Sequence, residues 1–101
     1  MEERKEGNEN VVFIGIKPFM NYVTSVIMLL TTKNMSEVVI KARGKWISRA
    51  VDVAEIVTKK FLKERNLKIS NVKIDSDERE NDEGNKINVS TIEITIKNNS
   101  S

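Results

Sequence analysis

The sequence predicts an α/β two-layer sandwich, and three observations carry that prediction. A β-branched run followed by a helical apolar stripe occurs twice in succession, and two segments of strict apolar/polar alternation then close the chain. At 101 residues the chain is long enough for one core and one domain, and small enough that a second subunit would add useful burial. Strands that alternate with helices build parallel β-α-β units, whereas two consecutive strands build a hairpin.

The first strand, β1, is read at residues 11–14 (Val-Val-Phe-Ile) and ends at Gly15. Pro18 then sits where a first helical turn accepts a residue without an N–H, so the first helix, α1, is read at 18–31 with Val23, Val26, Ile27 and Leu30 at core spacing. Met20 and Met28 read as packing residues. The second strand, β2, is read at 37–42, and its Val38-Val39-Ile40 run suits a strand covered on both faces. The second helix, α2, is read at 46–63 with Ile47, Ala50, Val51, Ala54 and Val57 on its core stripe. Val53, Ile56 and Phe61 form a further apolar group on α2, open to two readings, a subunit contact or a wide core-facing stripe. The strands β3 (67–74) and β4 (87–96) alternate, and the polar segment 75–86 between them reads as a mobile arm that projects into solvent. The order β1-α1-β2-α2-β3-β4 gives a four-stranded mixed sheet with a long β3-β4 hairpin arm. Residues 1–9 and 98–101 read as tails flanking a domain at 10–97, the first of them disordered.

Composition removes most chemistries. With no Cys and no His, disulfides, thiol nucleophiles, imidazole bases and the usual zinc sites are excluded together. Gly15-Ile16-Lys17 is not a phosphate-binding P-loop, and Asp52 and Glu55 read as solvated helix residues, so no enzyme, cofactor or metal site is expected. No apolar run reaches transmembrane length and the N-terminus is not signal-like, so a soluble intracellular protein with no membrane partner is expected.

The net charge of +2 conceals segregation. Residues 1–10 carry four Glu against Arg4 and Lys5, while 11–50 carry six cations against Glu37 alone. Residues 75–86 carry six carboxylates against Arg79 and Lys86. Because right-handed β-α-β crossovers make β1 and β2 parallel, both helix N-termini emerge at one edge of the sheet. Lys17 thereby meets Arg43 and Lys45, with Lys41 and Arg49 flanking them, at two positive helix ends that suit phosphates. The competing reading of the same residues is a solvated basic loop. Trp46 reads first as a packing residue, and second as a platform for an unpaired base.

Three segments in this order resemble one family. Residues 11–23 (Val-Val-Phe-Ile-Gly-Ile-Lys-Pro-Phe-Met-Asn-Tyr-Val), residues 38–45 with 47–52, and residues 89–94 are similar to the Alba family of archaeal chromatin proteins. The resemblance covers about residues 10–97. It implies a homodimer in the cytoplasm and on the chromosome (nucleoid) that coats double-stranded DNA, contributes to chromosome organisation and DNA condensation, and also binds RNA, with paired hairpin arms along the minor groove. By motif, Lys17 matches the second Lys of the family's Lys-Lys-Pro, Arg43 and Lys45 its basic Arg-Gly-basic turn, and Asn21 and Tyr22 the Asn-Tyr of the first helix. Phe61 matches a position of contact between dimers, which implies higher assembly on DNA.

Two departures stand out. Ile16 replaces the first Lys of Lys-Lys-Pro, the family's site of regulatory acetylation. The arm is acidic where a DNA-binding arm should be neutral or basic, leaving Arg79 and Lys86 as its favourable contacts, so weaker or more selective DNA binding is expected. The alternative is a mainly RNA-binding protein with little role in DNA packaging. A structural oligomer without nucleic-acid affinity is the third class.

Overall fold

The computed structural model describes residues 9–61 and 65–98. The elements follow the expected order: β1 Val11–Phe13, α1 Phe19–Leu30, β2 Glu37–Arg43, α2 Ile47–Ile56, β3 Leu67–Glu80 and β4 Lys86–Asn98. A single 3₁₀ turn, Gly44–Trp46, leads into α2, and a π turn, Val57–Phe61, follows it. Within that π turn the Thr58 hydroxyl donates to the Ala54 carbonyl at 2.9 Å, a side-chain bond of the kind that competes with the helical ladder. The end of the expected α2, residues 62 and 63, lies outside the described residues, as do the expected tails apart from Glu9 and Asn98. Asn98 belongs to β4 rather than to a tail: its amide donates to the Ser36 carbonyl and its side chain to Leu30 O.

The sheet order is β1-β2-β4-β3, with β1 parallel to β2 and the other pairs antiparallel. Both helices cover one face. Their apolar side chains (Val23, Val26 and Leu30 of α1; Ala50, Val53, Ala54 and Val57 of α2) close over Val12, Val38, Ile40, Ile92, Ile94 and Ile96. The other face of the sheet is uncovered. Strand β2 therefore alternates, burying Val38, Ile40 and Ala42 while Glu37, Val39 and Lys41 stay half-exposed, which corrects the expectation of a strand covered on both faces. Three consecutive β-branched residues, Val38-Val39-Ile40, do not reveal how many layers lie over them.

The α2 stripe also differs. Val51, expected on the core stripe, is exposed, while Val53 is fully buried, which agrees with the wide core-facing reading of its group, because α2 packs in the angle between the sheet and α1 and so faces two neighbours. Met20 and Met28, expected in packing, are each nearly half exposed.

Strand β3 starts with apolar residues at odd positions, Leu67 and Ile69, and continues at even ones, Val72 and Ile74. A register shift between Ile69 and Asn71 absorbs the change, so that Ile69, Val72 and Ile74 stand opposite Ile96, Ile94 and Ile92 on the helix side of the sheet. The segment expected as a mobile loop is instead mostly strand. Pairing continues through Arg79↔Ile87 and Glu80↔Lys86, and the turn Asn81 to Asn85 is closed by the Asn81 carboxamide oxygen, which accepts the amides of Glu83 and Asn85 at 2.9 Å. Gly84 supplies the positive φ of +85° in that turn. A ladder needs backbone partners rather than apolar side chains, which is why the polar composition of 75–86 hides it. The ribbon accounts for the elongated shape, 50 × 30 × 24 Å.

Candidate nucleic-acid interface

The carboxyl edge of β1 and β2 brings two loops together. After β1 the chain turns through Gly15, Ile16 and Lys17 to Pro18, the residue before α1, whose φ of −56° and ψ of 144° set the helix start. After β2 it turns at Gly44, whose φ of +59° strains any other residue. No side chain caps α1, the 3₁₀ turn or α2. The Ile47 amide of α2 is already taken by the Gly44 carbonyl, so the N–H groups left to an anion are those that open α1 and the 3₁₀ turn, and both helix dipoles point their positive ends at it.

Arg49 fastens these loops to each other. Its guanidinium donates to the carbonyls of Gly15 (3.3 Å) and Lys17 (2.7 Å), bridging residues more than thirty apart in sequence. The same guanidinium lies 5.4 Å from the centre of the Trp46 ring, and the Lys45 ammonium lies 5.1 Å from it. Trp46 is half-buried against the core, so its body packs while its ring holds two cations beside the edge. Lys17, Arg43 and Lys45 are exposed, and among the described residues none of them is ion-paired with a carboxylate. Three exposed cations without a carboxylate partner and uncapped N–H groups at one edge are the chemistry that attracts anions such as phosphates.

Other residues expected at this site have different places. Tyr22 is buried, and its hydroxyl oxygen accepts the Lys17 amide at 2.9 Å, so it sets the loop that carries Lys17 instead of presenting a polar contact. Asn21, one residue earlier, is exposed on the first turn of α1. Lys41 lies on the open face of the sheet, 3.5 Å from the Glu93 carboxylate and 5.7 Å from the Phe13 ring centre, two residues before Arg43 on the same face of β2. Alternation along β2 explains this, since Lys41 shares its face with the half-exposed Val39. Arg79 and Lys86 are exposed on the arm, and Lys86 stands opposite Glu80.

Ile16, which stands where the family has the first Lys of Lys-Lys-Pro, is 84% exposed beside Lys17. The exposed apolar surface of the chain lies elsewhere than the subunit-contact reading of α2 placed it. Val53 is core and Ile56 half-buried, so only Phe61 of that group is exposed, at 50%. The larger uncovered apolar surface belongs to β3, where Val72 and Ile74 are 54% and 76% exposed on the side of the sheet that elsewhere packs against helices. The signal was present in the sequence: alternation in β3 continues for a strand longer than two helices can cover.

A model of the Alba family matches residues 10–76. The DNA/RNA-binding protein Alba of Methanococcus maripaludis is 49% identical over 88 residues, covering 87% of this chain and 97% of that protein. The DNA/RNA-binding protein Alba of Picrophilus torridus is 44% identical over 88 residues, covering 87% of this chain and 94% of that protein. The structure of Alba from Thermoplasma volcanium superimposes with a TM-score of 0.79 at 43% identity, covering 87% of this chain and 99% of that one. ALBA1 from Trypanosoma brucei shares the fold alone, with a TM-score of 0.67 at 22% identity over 88% of this chain and 68% of that one. The β-α-β-α-β-β order, the mixed sheet and these matches agree, and the chain belongs to the Alba family.

Proposed function

We infer that this protein binds nucleic acid, double-stranded DNA and RNA, through the phosphate backbone, and acts by binding rather than by catalysis. The observation that carries the reading is the convergence of exposed, unpaired Lys17, Arg43 and Lys45 with two uncapped helix N-termini at one sheet edge. Relatives named DNA/RNA-binding protein Alba support it. Phosphate contacts of this kind supply affinity without reading sequence, which suits a role in organising the chromosome. Arg49 and Tyr22 position the surface, and Asn21 adds a polar contact beside it. The site needs no cofactor or metal.

The working unit is a homodimer. Val72 and Ile74 on β3, and Phe61 at the end of the π turn, each leave half or more of an apolar side chain in water, and such side chains mark surfaces for a partner subunit. We place the subunit contact on Val72 and Ile74 and assign Phe61 to contacts between dimers on DNA. Ile74→Glu should convert the dimer to a monomer at micromolar concentration in sedimentation equilibrium while leaving the far-UV circular dichroism unchanged. A dimer that persists in this variant removes β3 from the interface.

Salt titration of binding to a short duplex tests the function. Six phosphate contacts in a dimer, three from each subunit, predict a slope of log K against log salt of about −5. Absence of retention at low salt would overturn the reading. The acidic arm favours a second one, in which RNA is the principal ligand: the carboxylates of β3 and its turn stand where an arm along duplex DNA would meet phosphates. Competition between duplex DNA, duplex RNA and single strands separates the two.

A further inference from the structure

We propose that the concavity on the open face of the sheet receives one unpaired nucleobase of a single strand, stacked on Phe13; this rests on the nucleic-acid-binding reading above. The concavity, of about 550 Å³, is lined by Phe13, Lys41, Arg43, Trp46, Asp75 and Glu93, among others. Its size lies within the roughly 300–1,000 Å³ range of small-ligand sites.

Phe13 is the anomaly that points there. It is 65% exposed at the end of β1, on the face that no helix covers, where a polar residue would cost nothing. Every base has a π-face, so a solvent-facing ring on an open sheet is a stacking platform that tolerates any sequence. The Lys41 ammonium lies 5.7 Å from that ring, near the ~6 Å limit of such contacts, and 3.5 Å from the Glu93 carboxylate, so it stands at the rim of the ring as one half of an ion pair. Across the same face, Lys41 stands opposite Glu93, and Arg43 and Asp75 both stand opposite Thr91. Lys41 and Glu93 are thus one strand spacing apart, and Arg43 and Asp75 two, on either side of Thr91, so donors and carboxylate acceptors line the same face. Such mixed charge repels a bare polyanion less well than it recognises the edge of a base, which presents amino groups and carbonyls side by side. Arg43 belongs both to this concavity and to the phosphate-binding edge, so a strand whose backbone follows the edge can turn one base over Phe13. A duplex cannot, because its bases are stacked and paired.

Phe13→Ala and Phe13→Tyr, compared with wild type on a 12-nucleotide single-stranded RNA and on a duplex DNA of equal length, test the proposal. Phe13→Ala should lose about tenfold in affinity for the single strand, the loss expected for one stacked base, and change duplex binding less than twofold. Phe13→Tyr should restore single-strand binding. Equal losses on both ligands, or no loss on the single strand, would overturn the site while leaving phosphate binding intact. Wild-type protein that retains neither ligand would instead overturn the functional reading on which the site rests.

Discussion

Replacing Arg43 and Lys45 together with Ala should weaken binding to duplex DNA of any sequence by roughly a thousandfold at 0.1 M salt, the largest effect expected of any surface substitution in this chain. The magnitude follows from counterion release. Each phosphate neutralised adds about 0.9 to the slope of log K against log salt, hence close to tenfold in K at 0.1 M relative to 1 M. A dimer loses four such contacts in the double variant, leaving the two made by Lys17 and a slope of about −2 in place of about −5. Extrapolated to 1 M salt, the two proteins should converge. Folding should be unchanged, because both side chains are exposed and neither is ion-paired among the described residues, while the Gly44 between them keeps the turn. An unaltered slope would remove this edge from the interface.

Neutralising the arm should act in the opposite direction. Asp77→Asn, Glu78→Gln, Glu80→Gln, Asp82→Asn and Glu83→Gln, made together, should raise affinity for nonspecific duplex DNA by about tenfold or more at 50 mM salt. The gain should shrink by 200 mM, as the Debye length falls from roughly 14 Å towards 7 Å. The structure sharpens the basis of this expectation. A loose loop would swing away from a polyanion, whereas a hydrogen-bonded ribbon rooted in the sheet holds its carboxylates in place. They divide between its two faces by alternation: Asp75 and Asp77 continue the open face that carries Glu93, and Glu78 and Glu80 the helix side. Neither face is free of negative charge, so rotating the arm about its axis does not relieve the repulsion. Asn81, whose side chain closes the turn, is left intact and the fold should be unaffected. Equal affinity of the two proteins across the salt series would show that the arm lies clear of the duplex.

Where the sequence misled, the missing information was always a neighbour from elsewhere in the chain. Val51 and Val53 differ by two positions on one helix, and only the place of α1 beside α2 decides which is covered. Tyr22 and Asn21 are adjacent, yet one hydroxyl is buried under the Lys17 amide and the other side chain is in water. Lys41 carries the same charge as Lys45 but sits in a strand register that pairs it across to Glu93. The arm read as a loop because its side chains are polar, although its ladder is made by backbone groups that composition does not display.

The order of elements, the parallel pairing of β1 and β2, and the basic loop at each helix start were all legible in the residues alone. Local periodicity and the handedness of crossovers are sufficient for these, since both act within one β-α-β unit. The tertiary structure decided which cations are free and which are tied: Arg49 is bound to the carbonyls of Gly15 and Lys17, Lys41 is held by Glu93, and Lys17, Arg43 and Lys45 remain open. It also decided that Val72, Ile74 and Phe13 face outward. The physical reason is the same in each case: burial and ion pairing are properties of groups brought together from distant positions, and the periodicity of one segment carries no record of what the rest of the chain lays over it.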